Sequence, residues 1–175
     1  VYNADAMIVT SPHTSIRRMF SQHEALKTVD EIPTTAVANV ALAFDQKAIK
    51  KELDGTGFVV SRNSDFRITA CTWTHRKWPH TTPDGKVLLR SYVGGPHDPN
   101  AAFLSDDEIV DVVLKDLRKV MKIKGEPNFK VISRFKNKMP QYAVGHLERV
   151  KKIRDYAAVN LPGVFIAGAS FEGVG

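Results

Sequence analysis

The chain ends on Val164-Phe165-Ile166-Ala167-Gly168-Ala169-Ser170-Phe171-Glu172-Gly173-Val174-Gly175, and no other stretch limits the fold as much. Val164 to Ala167 reads as a short buried strand running into a glycine-rich loop. The three glycines of the final eight residues permit positive φ and let backbone come close to a bulky ligand. Open α/β sheets bind nucleotides where a hydrophobic parallel strand meets such a loop, at the carboxyl ends of the strands. A doubly wound sheet also needs a helix over that strand, and the sequence shows none after it. The expectation is a piece of a larger protein, cut at or near a binding site. An ordinary strand and glycine turn suits the same residues, so this stretch alone leaves both readings open.

The 175 residues allow one domain or parts of two, and 43% apolar content supports a real core. The opening Val1-Tyr2-Asn3-Ala4-Asp5 lacks the basic-then-hydrophobic pattern of a signal peptide. No apolar run reaches membrane-spanning length. Cys71 is the only cysteine, which excludes an internal disulfide and a cysteine-based zinc motif, and a reducing cytoplasm fits. The net charge of +6 admits nucleic acid, anionic lipid or an acidic small molecule as partner. The positive residues are spread along the chain, densest from His146 to Arg154, as on a basic solvated surface.

Taken in order, Ala6 to Thr10 reads as a buried strand stopped by Pro12, and His13 to Phe20 as one or two helical turns. Thr34 to Phe44 is small, apolar and rich in β-branched residues; it suggests a strand packed on both faces, with a helix as the alternative. Three strands follow: Gly57 to Ser61, Phe66 to Thr74 and Lys86 to Val93. The second alternates, with Phe66, Ile68, Ala70, Thr72 and Thr74 on one face and Arg67, Thr69, Cys71 and Trp73 on the other. Short turn-forming links make these an antiparallel meander. Ser105 and Glu108 form a capping box opening the clearest helix, which Gly125 and Pro127 close. Val131 to Phe135 reads as another strand. His146 to Tyr156 reads as a helix whose apolar stripe is Leu147, Val150 and Ile153. The fold class is therefore mixed α/β, or α+β. The two ends (residues 1–32 and 136–175) belong to one nucleotide-binding, Rossmann-like sheet, and residues 33–135 form an inserted, largely antiparallel one.

The six histidines show no ligand spacing and have cationic neighbours, which speaks against a metal site. Ser170 lacks the second glycine of a nucleophile elbow. Cys71 reads as a small core residue. The segment Thr72-Trp73-Thr74-His75-Arg76-Lys77-Trp78-Pro79-His80 leaves a strand with two tryptophans among cations. It suits nucleic-acid stacking. It also suits a large flat ring carrying carboxylates, with Trp78 against the ring and the cations against the acids. A tryptophan packed in a corner under a solvated turn is the reading that local pattern alone favours.

Several of these segments resemble one family. Pro162 to Ala167 followed by Gly168-Ala169-Ser170-Phe171-Glu172-Gly173-Val174-Gly175 is similar to the C-terminal flavin motif of the porphyrinogen oxidases, the FAD-dependent protoporphyrinogen and coproporphyrinogen III oxidases of haem synthesis. Lys138-Met139-Pro140-Gln141-Tyr142 with Gly145-His146 resembles that family's Pro-Gln-Tyr segment. Ala38 to Leu42, Gly55 to Arg62, Ala70 to Thr74 and Lys77-Trp78-Pro79 resemble its Bacillus-type members, so the likeness covers essentially the whole chain.

The resemblance implies an amine-oxidase-like flavoprotein, with an FAD domain and an inserted substrate sheet. It places Val174 and Gly175 near the flavin ring, Gly168 and Ala169 beside the ribityl and pyrophosphate, and Thr10, Ser11 and Pro12 at a strand end near the cofactor. Phe135 falls where many members carry a tryptophan against the flavin, so that contact is altered here. Gly57, Val59 and Trp78 match positions lining the porphyrinogen pocket, and His75, Arg76 and Lys77 would attract propionates. The implied reaction oxidises coproporphyrinogen III, or protoporphyrinogen IX, with dioxygen, with no evident catalytic base. A cytoplasmic location is implied, compatible with peripheral contact at the inner face of the membrane, and no nucleic acid is expected. The Gly-x-Gly-x-x-Gly fingerprint of the family is missing, so this chain alone should hold FAD weakly or not at all. Another amine-oxidase-fold flavoenzyme and a non-catalytic basic binding module are the competing readings.

Overall fold

A computed structural model describes residues 3–50 and 54–173. The chain divides into two compact units, residues 1–34 with 138–175 and residues 35–137.

In the first unit, strands β1 (Met7–Val9) and β7 (Val164–Ile166) pair in parallel, with Met7 opposite Val164 and Val9 opposite Ile166. Helix α1 (His13–Met19) follows β1 directly. An extended 3-10 segment, Glu24–Glu31, occupies what reads from sequence as an irregular link. Helix α4 (His146–Asn160) precedes β7. Ile16, Leu26, Val29, Val150, Ile153, Ile166 and Phe171 form the core of this unit. The apolar stripe of α4 is His146, Val150, Ile153 and Ala157, whereas Leu147 is 76% exposed. At 100° per residue, the 146, 150, 153, 157 spacing stays on one line and position 147 turns away from it. The terminal strand is less buried than its composition suggests. Ile166 is inside, but Phe165 and its partner Ile8 point to the opposite face and are exposed. A single helical turn, α5 (Ala169–Glu172), follows β7, in a stretch that reads from sequence as loop alone.

The second unit is a five-stranded sheet in the order β3-β4-β5-β2-β6. Its strands are β2 (Thr34–Asp45), β3 (Gly57–Val59), β4 (Ile68–Trp73), β5 (Lys86–Gly94) and β6 (Phe129–Pro140), the first and last reaching the unit boundary. The meander β3-β4-β5 is present as read, and β2 docks against the far side of β5 rather than beside β3. A short helix, α2 (Thr74–Lys77), leaves the end of β4. Helix α3 (Asp106–Met121) covers one face of the sheet. Ser105 and Glu108 cap it reciprocally, and Asp106, Asp107 and Glu108 face the positive end of the helix dipole. The helix stops earlier than Gly125, at Lys122, which takes the left-handed conformation (φ 51°) and returns its N–H to the Arg118 carbonyl. Ile109, Val113, Leu117 and Met121 pack fully buried against Ala38, Val40, Leu42 and Phe44 of β2 and Leu89 and Val93 of β5. Burying four such side chains contributes on the order of 10 kcal/mol before entropy is counted.

Two sequence expectations change here. Strand β2 is fully buried on one face only; Val37, Asn39, Ala41 and Ala43 on the other are half-buried. In β4 the alternation changes phase. Ile68 pairs with Val93 but Ala70 pairs with Tyr92, so Thr69 is an extra residue and the strand is bulged. Cys71 and Trp73 therefore join Ile68 in the core, while Ala70 and Thr72 turn to the opposite face. Asp116, buried on α3, holds the entry to this bulge by accepting the backbone N–H of Arg67 (2.7 Å) and of Ile68 (3.1 Å) on one oxygen.

Candidate functional sites

In the first unit the site is built at the carboxyl ends of two parallel strands. The chain leaves β1 through Thr10, Ser11 and Pro12, and leaves β7 through Gly168 and Ala169. These five residues, read from sequence as one group, are neighbours. The Ala167 N–H donates to the Val9 carbonyl (3.0 Å), and a Cβ on Gly168 would lie 3.3 Å from the Thr10 carbonyl oxygen. With φ at +108°, Gly168 is the residue type this approach requires. Below the loops, the Ser170 hydroxyl accepts the His13 backbone N–H (3.3 Å) and meets His13 Nδ1 at 3.0 Å. A hydrogen bond to the Ile32 backbone engages the imidazole as well. Burial holds the His13 pKa below the usual histidine range despite opposition from Asp30. The neutral ring thus accepts the Ser170 proton and fastens one loop to the other.

The Pro140-Gln141-Tyr142 and Gly145-His146 segment clamps the same glycine loop from the other side. The Tyr142 hydroxyl donates to the Ala169 carbonyl (2.6 Å), and His146 Nε2–H donates to the Phe171 carbonyl (3.1 Å). The Tyr142 and His146 rings lie 4.8 Å apart. Arg154 pairs with Glu172 at 2.8 Å, which holds the Glu172 carboxyl below its ordinary pKa. A cleft of about 440 Å³ opens here, lined by Tyr142, His146, Phe171 and Gly173 among others. His146 Nδ1 is buried without a hydrogen-bond partner. Val174 and Gly175 lie outside the described residues. His13 and Ser170 escape sequence reasoning as a pair because 157 positions separate them.

In the second unit the candidate residues lie on the sheet face opposite α3. Register aligns Gly57, Thr72, Arg90 and Ala41 across four strands, and beside that row Val59, Ala70, Tyr92 and Asn39. Gly57 has no room for a side chain: a Cβ would come within 2.4 Å of the Cys71 carbonyl oxygen. Val59 is 84% exposed. Trp78, half-buried just after α2, has Lys77 Nζ 4.7 Å and Arg90 Cζ 5.5 Å from its ring centroid. Arg76 and Lys77 are exposed. His75 Nδ1–H donates to the Leu88 carbonyl (3.2 Å), which makes His75 a tether between α2 and β5. One row further on, Ala43 and Leu88 line a cavity of about 290 Å³ with Thr81, Thr82, Pro83 and Phe129. Phe135 belongs to this unit and is exposed on β6. Cys71 is a core thiol whose burial pushes its pKa up to about 11.

A parallel strand pair with a glycine loop at its carboxyl ends, in a chain that also carries an antiparallel sheet, is a mixed α/β arrangement, and open α/β sheets bind nucleotides at such strand ends. The chain belongs to the flavin-containing amine oxidoreductase family, whose model matches residues 1–174. It is 51% identical over 173 residues to coproporphyrinogen III oxidase of Bacillus subtilis and 46% identical over 171 residues to that of Staphylococcus aureus. These matches cover 99% and 98% of this chain, which spans 37% of the length of either relative. A crystal structure from Exiguobacterium sp. 255-15, provisionally named a protoporphyrinogen oxidase, matches 98% of this chain and 38% of its own with a TM-score of 0.80 at 33% identity. Reduced UDP-galactopyranose mutase, at 12% identity and a TM-score of 0.68, shares the fold.

Proposed function

We propose that this chain is part of an FAD-dependent porphyrinogen oxidase that converts coproporphyrinogen III to coproporphyrin with dioxygen. The observation that carries the proposal is the 51% identity to a coproporphyrinogen III oxidase over 99% of the chain. Residues 1–32 and 136–175 would contribute to the FAD-binding domain and residues 33–135 would form the substrate domain.

The first unit fits a flavin cofactor. Gly168 keeps a side chain away from the junction of two strand-end loops, and Tyr142, His146 and the His13–Ser170 pair fix the loop backbone. Thr10, Ser11, Pro12, Gly168 and Ala169 would hold the cofactor, with Val174 and Gly175 beyond them. No Gly-x-Gly-x-x-Gly follows β1, so these loops supply only part of the cradle. Bound FAD would supply the two-electron acceptor that a porphyrinogen needs and pass those electrons to dioxygen. The protein's part is placement. Gly57 leaves the sheet face flat, Val59, Ala70 and Thr72 make it apolar or weakly polar, and the cations about Trp78 favour an acidic substrate. Among the described residues, the carboxylate on this face, Asp45, is engaged by Lys86.

The test is an aerobic assay of the intact gene product. Coproporphyrin fluorescence should grow from coproporphyrinogen III, faster than porphyrin forms from protoporphyrinogen IX, and should stop when oxygen is removed. Oxidation of neither porphyrinogen would refute the assignment.

A further inference from the structure

We propose that Arg90 is the carboxylate anchor of the open sheet face. The proposal rests on the porphyrinogen reading and deepens it. Arg90 stands mid-strand on β5, between Thr72 of β4 and Ala41 of β2. None of these neighbours carries a negative charge. Its Nε is fully buried and has no hydrogen-bond partner. Its charge instead rests on two rings: Cζ is 5.5 Å from the Trp78 centroid and 5.6 Å from the Tyr92 centroid.

Rings attract the charge of a guanidinium, but they do not satisfy its N–H donors. A half-buried cation whose Nε–H has no partner is costly unless an anion compensates it. Lys77 adds a second positive charge over the same Trp78 ring. Two cations sharing one ring repel each other, and an anion placed between them relieves that repulsion. A planar guanidinium set beside two aromatic rings can make paired hydrogen bonds to a carboxylate. Gly57 lies in the same cross-strand row, so a flat ring system can lie along the sheet and reach Arg90 with a pendant acid. On this account Trp78 frames the cation rather than stacking on the substrate. Exposed Arg76 contributes general positive potential only.

The test compares coproporphyrin III with its tetramethyl ester as ligands of the intact gene product, in wild type, Arg90→Gln and Arg90→Lys. Bound flavin absorbance reports whether each variant is folded. Arg90→Gln should raise the Kd for the acid, and the KM for coproporphyrinogen III, about 10- to 100-fold, the worth of a charge-assisted hydrogen bond. The ester should bind wild type and variant alike, and kcat should move by no more than about threefold, as for binding shared by ground and transition states. If Arg90→Gln does not fold, Arg90→Lys supplies the same comparison, because it keeps the charge but loses the paired geometry. An acid-selective loss in either variant supports the anchor. Equal weakening of acid and ester, or no weakening in any folded variant, overturns it while leaving the porphyrinogen reading intact. A wild type that binds and oxidises no porphyrin ligand overturns both.

Discussion

Asp116→Ala should be among the most damaging single changes in the second unit that leave its apolar core untouched. One carboxylate oxygen accepts two backbone N–H groups, from Arg67 at 2.7 Å and Ile68 at 3.1 Å, and both Asp116 and Ile68 are buried. Removing the acceptor strands two amides, at about 1–3 kcal/mol each. Exposure of Arg67 lets water rescue part of its share. Alanine returns roughly 0.5 kcal/mol through its better helix propensity. The net loss is about 3 kcal/mol. Asp116→Asn keeps an acceptor oxygen for both amides and should lose only about 1 kcal/mol, the difference between a charged and a neutral acceptor. Lys119→Met removes the 3.6 Å contact from Lys119 Nζ to the other carboxylate oxygen and a 3.0 Å hydrogen bond to the Asp65 carbonyl, and should change stability by less than about 1 kcal/mol because both are made at the exposed end of the lysine. Urea unfolding of the three variants, compared at constant m-value, measures these differences. If alanine and asparagine are equally damaging, or if Lys119→Met matches the alanine variant, the clamp on the bulge is not what Asp116 does.

Gly57→Ala should cost about 2–3 kcal/mol or release β3 from the sheet, since its Cβ would meet a backbone carbonyl at 2.4 Å and φ is +152°; hydrogen exchange at Val60, whose N–H pairs with the Thr69 carbonyl, reports which. The depressed pKa of His13 means that the unfolded chain takes up a proton before the folded one does. Stability should therefore fall as pH drops through the ordinary histidine pKa near 6.5, and His13→Gln should lessen that fall at the expense of stability at neutral pH. Cys71 works at the other end of the scale. Its thiol is raised from 9.0 to about 11, so the unfolded chain ionises first and stability is lost as pH climbs from 9 towards 11, with a slope of up to about 1.4 kcal/mol per pH unit that Cys71→Ala should abolish. At neutral pH the native thiol should resist alkylating reagents and react on unfolding.

What could be read from the sequence was local. The Ser105–Glu108 capping box depends on residues three apart, and it marks the start of α3. The family likeness of the Gly168 loop and of the Pro-Gln-Tyr segment is also local. What escaped depends on partners far along the chain. Thr69 becomes an extra residue only against β5, and with it the faces of β4 exchange, moving Cys71 and Trp73 inside. Arg90 reads as one polar residue within Lys86 to Val93; its role emerges once β5 is registered against Thr72 and Ala41 and Trp78 folds over it. Lys122 stops α3 in a left-handed conformation that glycine more often adopts, so composition pointed to Gly125 instead. The Tyr142 and His146 clamps show what their segment does: the Tyr142 hydroxyl and His146 Nε2–H each donate to a carbonyl of the terminal loop and turn.

The central proposal is that these residues belong to a flavoprotein whose open, cationic sheet face receives a porphyrinogen. Anaerobic mixing of the purified intact gene product with coproporphyrinogen III tests it most directly. The account predicts that the oxidised-flavin absorption bleaches as coproporphyrin appears, and returns when air is admitted. A protein that carries no flavin, or whose flavin stays oxidised in the presence of this substrate, would contradict it.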